Sequence, residues 1–95
     1  MKVKRLARFN EELEAIVSFI ADDSLNRAIA FLDELTEKIL DISEYPHSYR
    51  ERKNSKYSES RELIYKGYCV PFYIDKEDNV IVILGIYNQN LWNED

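Results

Sequence analysis

The sequence predicts a single α+β domain of order β-α-α-β-β-β, an antiparallel helical hairpin packed on one mostly antiparallel four-stranded sheet. Three observations lead there. Two stretches in the first half carry apolar residues at helical spacing, separated by a short polar break. The second half holds three strand-like runs with turn residues between them. The 95 residues suffice for one domain with a real core and are too few for two.

Residues 2–8, "KVKRLAR", alternate weakly and read as a strand. Asn10 then stands where a helix N-cap is expected, with Glu11, Glu12 and Glu14 placed to favour the helix dipole. Leu13, Ile16, Val17 and Ile20 share one face, which predicts an amphipathic helix over residues 11–22. "DDS" ends it, and Ser24 is the expected cap of the next helix. There Leu25, Ala28, Ile29, Leu32, Leu35, Ile39 and Ile42 keep one apolar face until Pro46 stops the helix near Glu44 or Tyr45. Residues 46–60 are polar, basic and rich in turn formers, and form the longest irregular segment. Strands follow near 61–66, 68–74 and 80–87, with Gly67 in one turn and "DKEDN" as a five-residue hairpin loop. Pro71 lacks a ladder donor, so its strand is expected to be an edge or bulged there. "VIVILGIY" is the run expected of a strand covered on both faces. The helical hairpin covers one sheet face, and the other is expected to be free to bind.

Composition narrows the function classes. No stretch approaches the roughly 20 apolar residues of a membrane span. The basic start lacks a following apolar segment and does not read as a signal peptide. One cysteine, Cys69, cannot form an internal disulfide and reads as a small buried apolar residue, which favours the cytoplasm. The net charge of −5 is unevenly spread. Residues 1–10 carry four bases and no acid, residues 11–45 ten acids and two bases, residues 46–68 six bases and three acids, and residues 69–95 five acids and one base. The average argues against strong nonspecific nucleic-acid binding, while a local basic face is retained.

Metal ligation is not expected, because one His and one Cys offer no ligand spacing. No cofactor is expected either: two isolated glycines cannot build a phosphate-cradling loop. His47 follows a proline in a turn, without an identifiable nucleophile, and reads as a surface residue. The helix acids read as a solvated face. The basic segment is richer: Arg50, Arg52, Lys53, Lys56, Arg61 and Lys66 alternate with Tyr49, Tyr57, Tyr65 and Tyr68. Such a segment suits an acidic protein partner, through charge pairing and tyrosine anchors. It also suits nucleic acid, through phosphate contacts and base stacking, or a solvated loop whose tyrosines pack back on the sheet. Arg61 has two readings, functional or paired with a helix acid such as Glu14 or Glu37. Trp92, with Leu91, is read as folding back over the sheet as a lid, or as an anchor for a partner.

Several local patterns together resemble one family. "EELEAIVSFIADDSLNRAIAFLDELTEKILDISEYP" is similar to the helical hairpin of the RelE/ParE superfamily of bacterial type II toxin–antitoxin toxins, which includes ParE-like plasmid stabilisation proteins. "RELIYKGYCVPFYI" resembles that family's strand pair, and "NVIVILGIYNQN" its final strand. The resemblance covers nearly the whole chain. It implies an antitoxin partner, and a target that is DNA gyrase in one branch and ribosome-bound messenger RNA in the other.

The resemblance also maps residues. Arg61 matches the arginine that opens the strand pair; Gly85 stands at an arginine usual in the last strand, and Asn88 and Asn90 at a histidine and an arginine common beyond it. A ribonuclease needs cations at the scissile phosphate and an acid/base pair, and neutral amides do not supply them. The ribonuclease reading therefore rests on Lys53, Lys56, Arg61 and Tyr87. The preferred reading is a ParE-like toxin acting by protein binding, with Tyr49, Arg50, Arg52, Lys53, Lys56, Tyr57, Arg61 and Trp92 contacting target or antitoxin. A non-toxic module that keeps the fold is the remaining alternative.

Overall fold

A computed structural model describes residues 1–88 and 92–95 of the chain. The elements are β1 (Lys2–Arg5), α1 (Ala7–Asp23), α2 (Leu25–Glu44), a 3-10 turn (Pro46–Ser48), β2 (Arg50–Glu51), β3 (Ser60–Tyr65), β4 (Tyr68–Asp75) and β5 (Val80–Ile83). The helices form the expected hairpin. The sheet has five strands rather than four, in the order β1-β5-β4-β3-β2. Only the β1–β5 pair is parallel. The extra strand β2 is two residues long, too short to leave a periodicity in the sequence.

The first helix starts earlier than the sequence suggested. Strand β1 stops at Arg5 and α1 begins at Ala7, so residues 6–8 are not strand. Asn10 is not a cap: its N–H already donates to the Leu6 carbonyl (3.2 Å). Phe9 decides the boundary. It is fully buried one turn before Leu13 and extends the apolar stripe backwards. Ser24 caps α2 as expected, its Oγ accepting the Arg27 N–H at 3.2 Å.

Alternation divides the sheet residues between two faces. Leu63, Tyr65, Val70, Phe72, Ile74, Ile81 and Ile83 meet Phe9, Leu13, Phe31, Leu35, Ile39 and Ile42 in one core. The β3–β4 hairpin turns through Lys66 and Gly67, both at positive φ (48° and 82°), with Tyr65 and Tyr68 facing each other. Two such residues give a turn whose twist matches the strands, and glycine relieves half the steric cost. The next loop is one residue shorter than expected, because Asp75 pairs with Val80. Its carboxylate instead accepts the Asp78 N–H across the turn (3.2 Å).

Pro71 lies in a central strand, not at an edge. A bulge accommodates it. Phe72 pairs with Ile83, and Leu84 N–H donates to the Pro71 carbonyl (2.9 Å). The next bridge joins Cys69 to Tyr87. One β4 residue, Val70, therefore stands opposite two, Gly85 and Ile86. The bulge also ends β5 at Ile83 rather than at 87.

The second sheet face is not free as expected. Val82 and Leu84, which point away from the helices, are buried too, nearly as fully as Ile81 and Ile83. The 50–60 segment and residues 92–95 reach over that side of the sheet, through contacts described next.

Candidate functional site

The bulge sets up a group that ties α1 to this second face. Bulging releases the Ile86 N–H from the ladder, and it donates to Glu12 Oε1 (3.1 Å). The Trp92 indole N–H donates to Glu12 Oε2 (3.0 Å). Arg8, one helical turn before Glu12, pairs with the same carboxylate (3.2 Å) and lies 4.2 Å from the Trp92 ring centre. Trp92 stacks on Tyr87, centroids 5.0 Å apart and planes within 9°. Gly85 sits beneath this group. A Cβ there would stand 2.4 Å from Glu12 Oε1 and 2.8 Å from Trp92 Cζ2. The position at which the resemblance places an arginine is thus occupied by the chain's own carboxylate and indole.

The tail continues onto the basic segment. Glu94 Oε1 accepts from Arg52 Nη1 (2.8 Å) and Ser55 Oγ (2.7 Å), and its Oε2 accepts the Lys56 N–H (2.9 Å). Arg8 Nη1 donates to the Glu94 carbonyl (3.3 Å). Burial would raise the Glu94 pKa, but the hydrogen bonds from Ser55, the Lys56 amide and Arg52 outweigh it and hold the carboxyl below its usual range. Arg52 is itself mostly buried and also donates to Ser60 Oγ (3.1 Å). Lys56 Nζ pairs with Asp95 (3.1 Å), which raises its pKa. An open groove of about 720 Å³ runs between Arg52, Lys53 and Lys56 on one side and Trp92 and Glu94 on the other.

Below the tail lies a second polar group. Cys69 Sγ donates to Glu62 Oε2 (2.7 Å), and Glu62 pairs with Arg50 (3.1 Å). Burial, then the Glu62 carboxylate, pushes the Cys69 thiol up to about 12. Burial and the neighbouring Cys69 also push the Tyr87 hydroxyl up to about 12. Tyr87 is therefore a poorer proton acceptor at neutral pH than free tyrosine. Tyr57 stacks flat on Tyr73, 3.9 Å apart.

Two of the nominated residues lie on the helix side. Arg61 faces Phe72 across the β3–β4 ladder and therefore shares the core-facing side of the sheet. It pairs with neither Glu14 nor Glu37. Its Nη1 donates to the Tyr49 carbonyl (2.7 Å) and the His47 carbonyl (3.3 Å), and its Nη2 meets Glu51 at 3.5 Å. Tyr49 packs edge-on against Phe72 (5.7 Å, 83°).

The structure thus gathers Arg50, Arg52, Lys53, Lys56, Tyr57, Tyr87 and Trp92 on the second face, and separates Arg61 and Tyr49 from them. Asn88 is exposed beyond Tyr87. Asn90 and Leu91 lie outside the described residues. The sequence reading missed Glu12, whose spacing from Arg8 was legible, and Glu94, which carries no local signal. No group of three or more His, Cys, Asp or Glu suited to a metal occurs among the described residues. No helix there is long and apolar enough to cross a membrane.

Comparison with known proteins places this geometry in a family. A comparison with curated proteins finds no match. Among solved structures, the fold is similar to that titled "Chromosomal ParDE TA system from P. aeruginosa", with a TM-score of 0.72 and 19% identity over 90% of this chain and 92% of that one. It is also similar to a free-state double arginine-to-alanine mutant of the E. coli toxin RelE, with a TM-score of 0.62 and 12% identity over 90% of this chain and 79% of that one. At such identities the likeness speaks for the fold. The family described as "ParE toxin of type II toxin-antitoxin system, parDE" matches residues 3–90. The chain belongs to the ParE toxin family of type II toxin–antitoxin systems.

Proposed function

We propose that this chain is the toxin half of a toxin–antitoxin pair, that it arrests growth in the cytoplasm by binding a protein target such as DNA gyrase, and that a cognate antitoxin neutralises it. One observation carries the preference for binding over RNA cleavage. The four residues that a ribonuclease reading needs are divided between the two faces of the sheet, with Arg61 opposite Lys53, Lys56 and Tyr87. A phosphate held by the lysines would lack that guanidinium, and Tyr87 has its hydroxyl pushed up to about 12. Protein binding needs no assembled acid/base pair. It needs charge, aromatic anchors and relief, and Arg50, Lys53, Lys56 and Tyr57 on the second face support that reading.

The test is induced expression of the full chain in a bacterial host, following growth, replication and bulk translation together. The expected result is arrest in which replication fails before translation, relieved by co-expression of an antitoxin encoded beside the gene. Translation failing first would replace this reading with the RelE-like ribosome-dependent endoribonuclease. Normal growth with soluble protein present would leave a non-toxic binding module that keeps the fold.

A further inference from the structure

Glu94 is held as a bound ligand would be. Each carboxylate oxygen has its own donors: Arg52 Nη1 and Ser55 Oγ on Oε1, the Lys56 N–H on Oε2. The receiving side is built rather than incidental. Arg52 is only 13% exposed and is fixed by Ser60 Oγ (3.1 Å) and by its own N–H to the Ser60 carbonyl (2.9 Å). The Ser55 hydroxyl also accepts the Tyr57 N–H (3.1 Å), which orients its proton towards Glu94. Yet Glu94 comes from the far end of the chain and sits beside an open groove.

We infer that Arg52, Ser55 and the Lys56 amide form a carboxylate-binding cradle, that Glu94 fills it in the free chain, and that an acidic side chain of a peptide partner takes Glu94's place. This goes beyond the growth-arrest reading and does not depend on it. The donor set favours a carboxylate over a phosphate. It offers three hydrogen bonds and one buried cation, which match two oxygens and a single negative charge. A nucleic-acid phosphate tract needs several cations in a row, whereas here Lys56 Nζ is paired with Asp95. Charge complementarity points to an acidic peptide lying along the groove past Lys53. The tail acts as a tethered competitor. A short tether keeps its carboxylate at an effective concentration on the order of millimolar, so a partner must outcompete it.

The experiment uses the full chain, with Glu94→Ala and Glu94→Gln variants, titrated with a tetraglutamate peptide. The Lys56 amide resonance reports occupancy of the cradle. Emission from Trp92, the one tryptophan, reports tail release. The expected result is that Glu94→Ala binds the peptide about tenfold more tightly than the native chain, the size of a lost charged hydrogen bond. Adding Arg52→Ala is expected to cancel that gain. Equal affinity in native and Glu94→Ala chains overturns the proposal, as does a double variant that binds as well as the single one. A ten-nucleotide uridine oligomer that displaces the peptide at equal salt overturns the carboxylate assignment in favour of phosphate. Circular dichroism checks the fold of each variant. If Glu94→Ala unfolds, Glu94→Gln carries the same comparison, because it keeps the volume and removes the charge.

Discussion

The Trp92 indole and the Glu12 carboxylate, eighty positions apart, share a hydrogen bond of 3.0 Å above Gly85. The contact ties the end of the described chain to the first helix. It requires three things at once: a carboxylate one turn after Arg8, a bulge that turns the Ile86 N–H outward, and no side chain at position 85. Each can be perturbed separately.

Gly85→Ala brings a methyl group into the space of Glu12 Oε1 and Trp92. Both neighbours are ends of side chains, so they are expected to yield while the core holds. The expected outcome is a stability loss of about 1–2 kcal/mol, as for mild overpacking, with a red shift of Trp92 emission in the folded protein. Chemical denaturation monitored by circular dichroism, beside native-state fluorescence, checks both. An unshifted emission spectrum would refute the described packing.

Arg61→Ala is expected to act on stability. It removes the donors to the Tyr49 and His47 carbonyls and leaves the start of β2 untied. A loss of about 2–3 kcal/mol is expected, in line with charged hydrogen bonds to partly buried groups. Thermal unfolding measures it. A ribonuclease role instead predicts lost toxicity at unchanged melting temperature.

Acidification should release the tail. Glu94 has a depressed folded pKa, so its contribution is present above the unfolded carboxyl value of about 4.3 and is lost as pH falls through the folded value. The groups facing it are Arg52, Lys56 and Arg8, and its neighbour Asp95. A shift of the Lys56 amide resonance below about pH 4 is expected, absent in Glu94→Gln.

Alkaline stability follows from Cys69 and Tyr87, both pushed up to about 12. Between the unfolded thiol value of about 8.5 and these folded values the unfolded chain holds fewer protons. Stability should therefore fall as pH rises through that interval. Denaturant midpoints at pH 8 and pH 11 test the sign. In the native state at pH 8 the Cys69 thiol is expected to react far more slowly with iodoacetamide than in urea, because it is buried and protonated.

Core truncation marks the boundary of α1. Phe9→Ala is expected to cost about 3–5 kcal/mol, since the ring is fully buried among both helices and the sheet. A capping role for Asn10 would instead make Asn10→Ala the costly change. That substitution is expected to be nearly silent, because Asn10 is exposed within the helix.

The sequence by itself determined the existence of the two helices, the cap at Ser24, strands β3, β4 and β5 and much of the helix-facing core, because those depend on periodicity and local hydrogen bonding; Leu25, Ile29 and Leu32, read as part of the apolar face of α2, are exposed instead, and Phe31 is buried. The sequence also marked Pro71 as needing an irregular ladder. Tertiary structure decided the rest. Strand β2 has no pattern of its own and exists only because β3 is beside it. Arg61 has two readings in the sequence, functional or paired with a helix acid, and the ladder gives it a third, on the helix side against two backbone carbonyls. Trp92 could be read as a lid, but nothing in "LWNED" says that it lands on Glu12 or that Glu94 reaches Arg52. Contacts between residues about forty or eighty positions apart leave no periodic trace in the chain. They are fixed by where the bulge at Gly85 and the core packing bring the end of the sheet, and that is a property of the folded molecule alone.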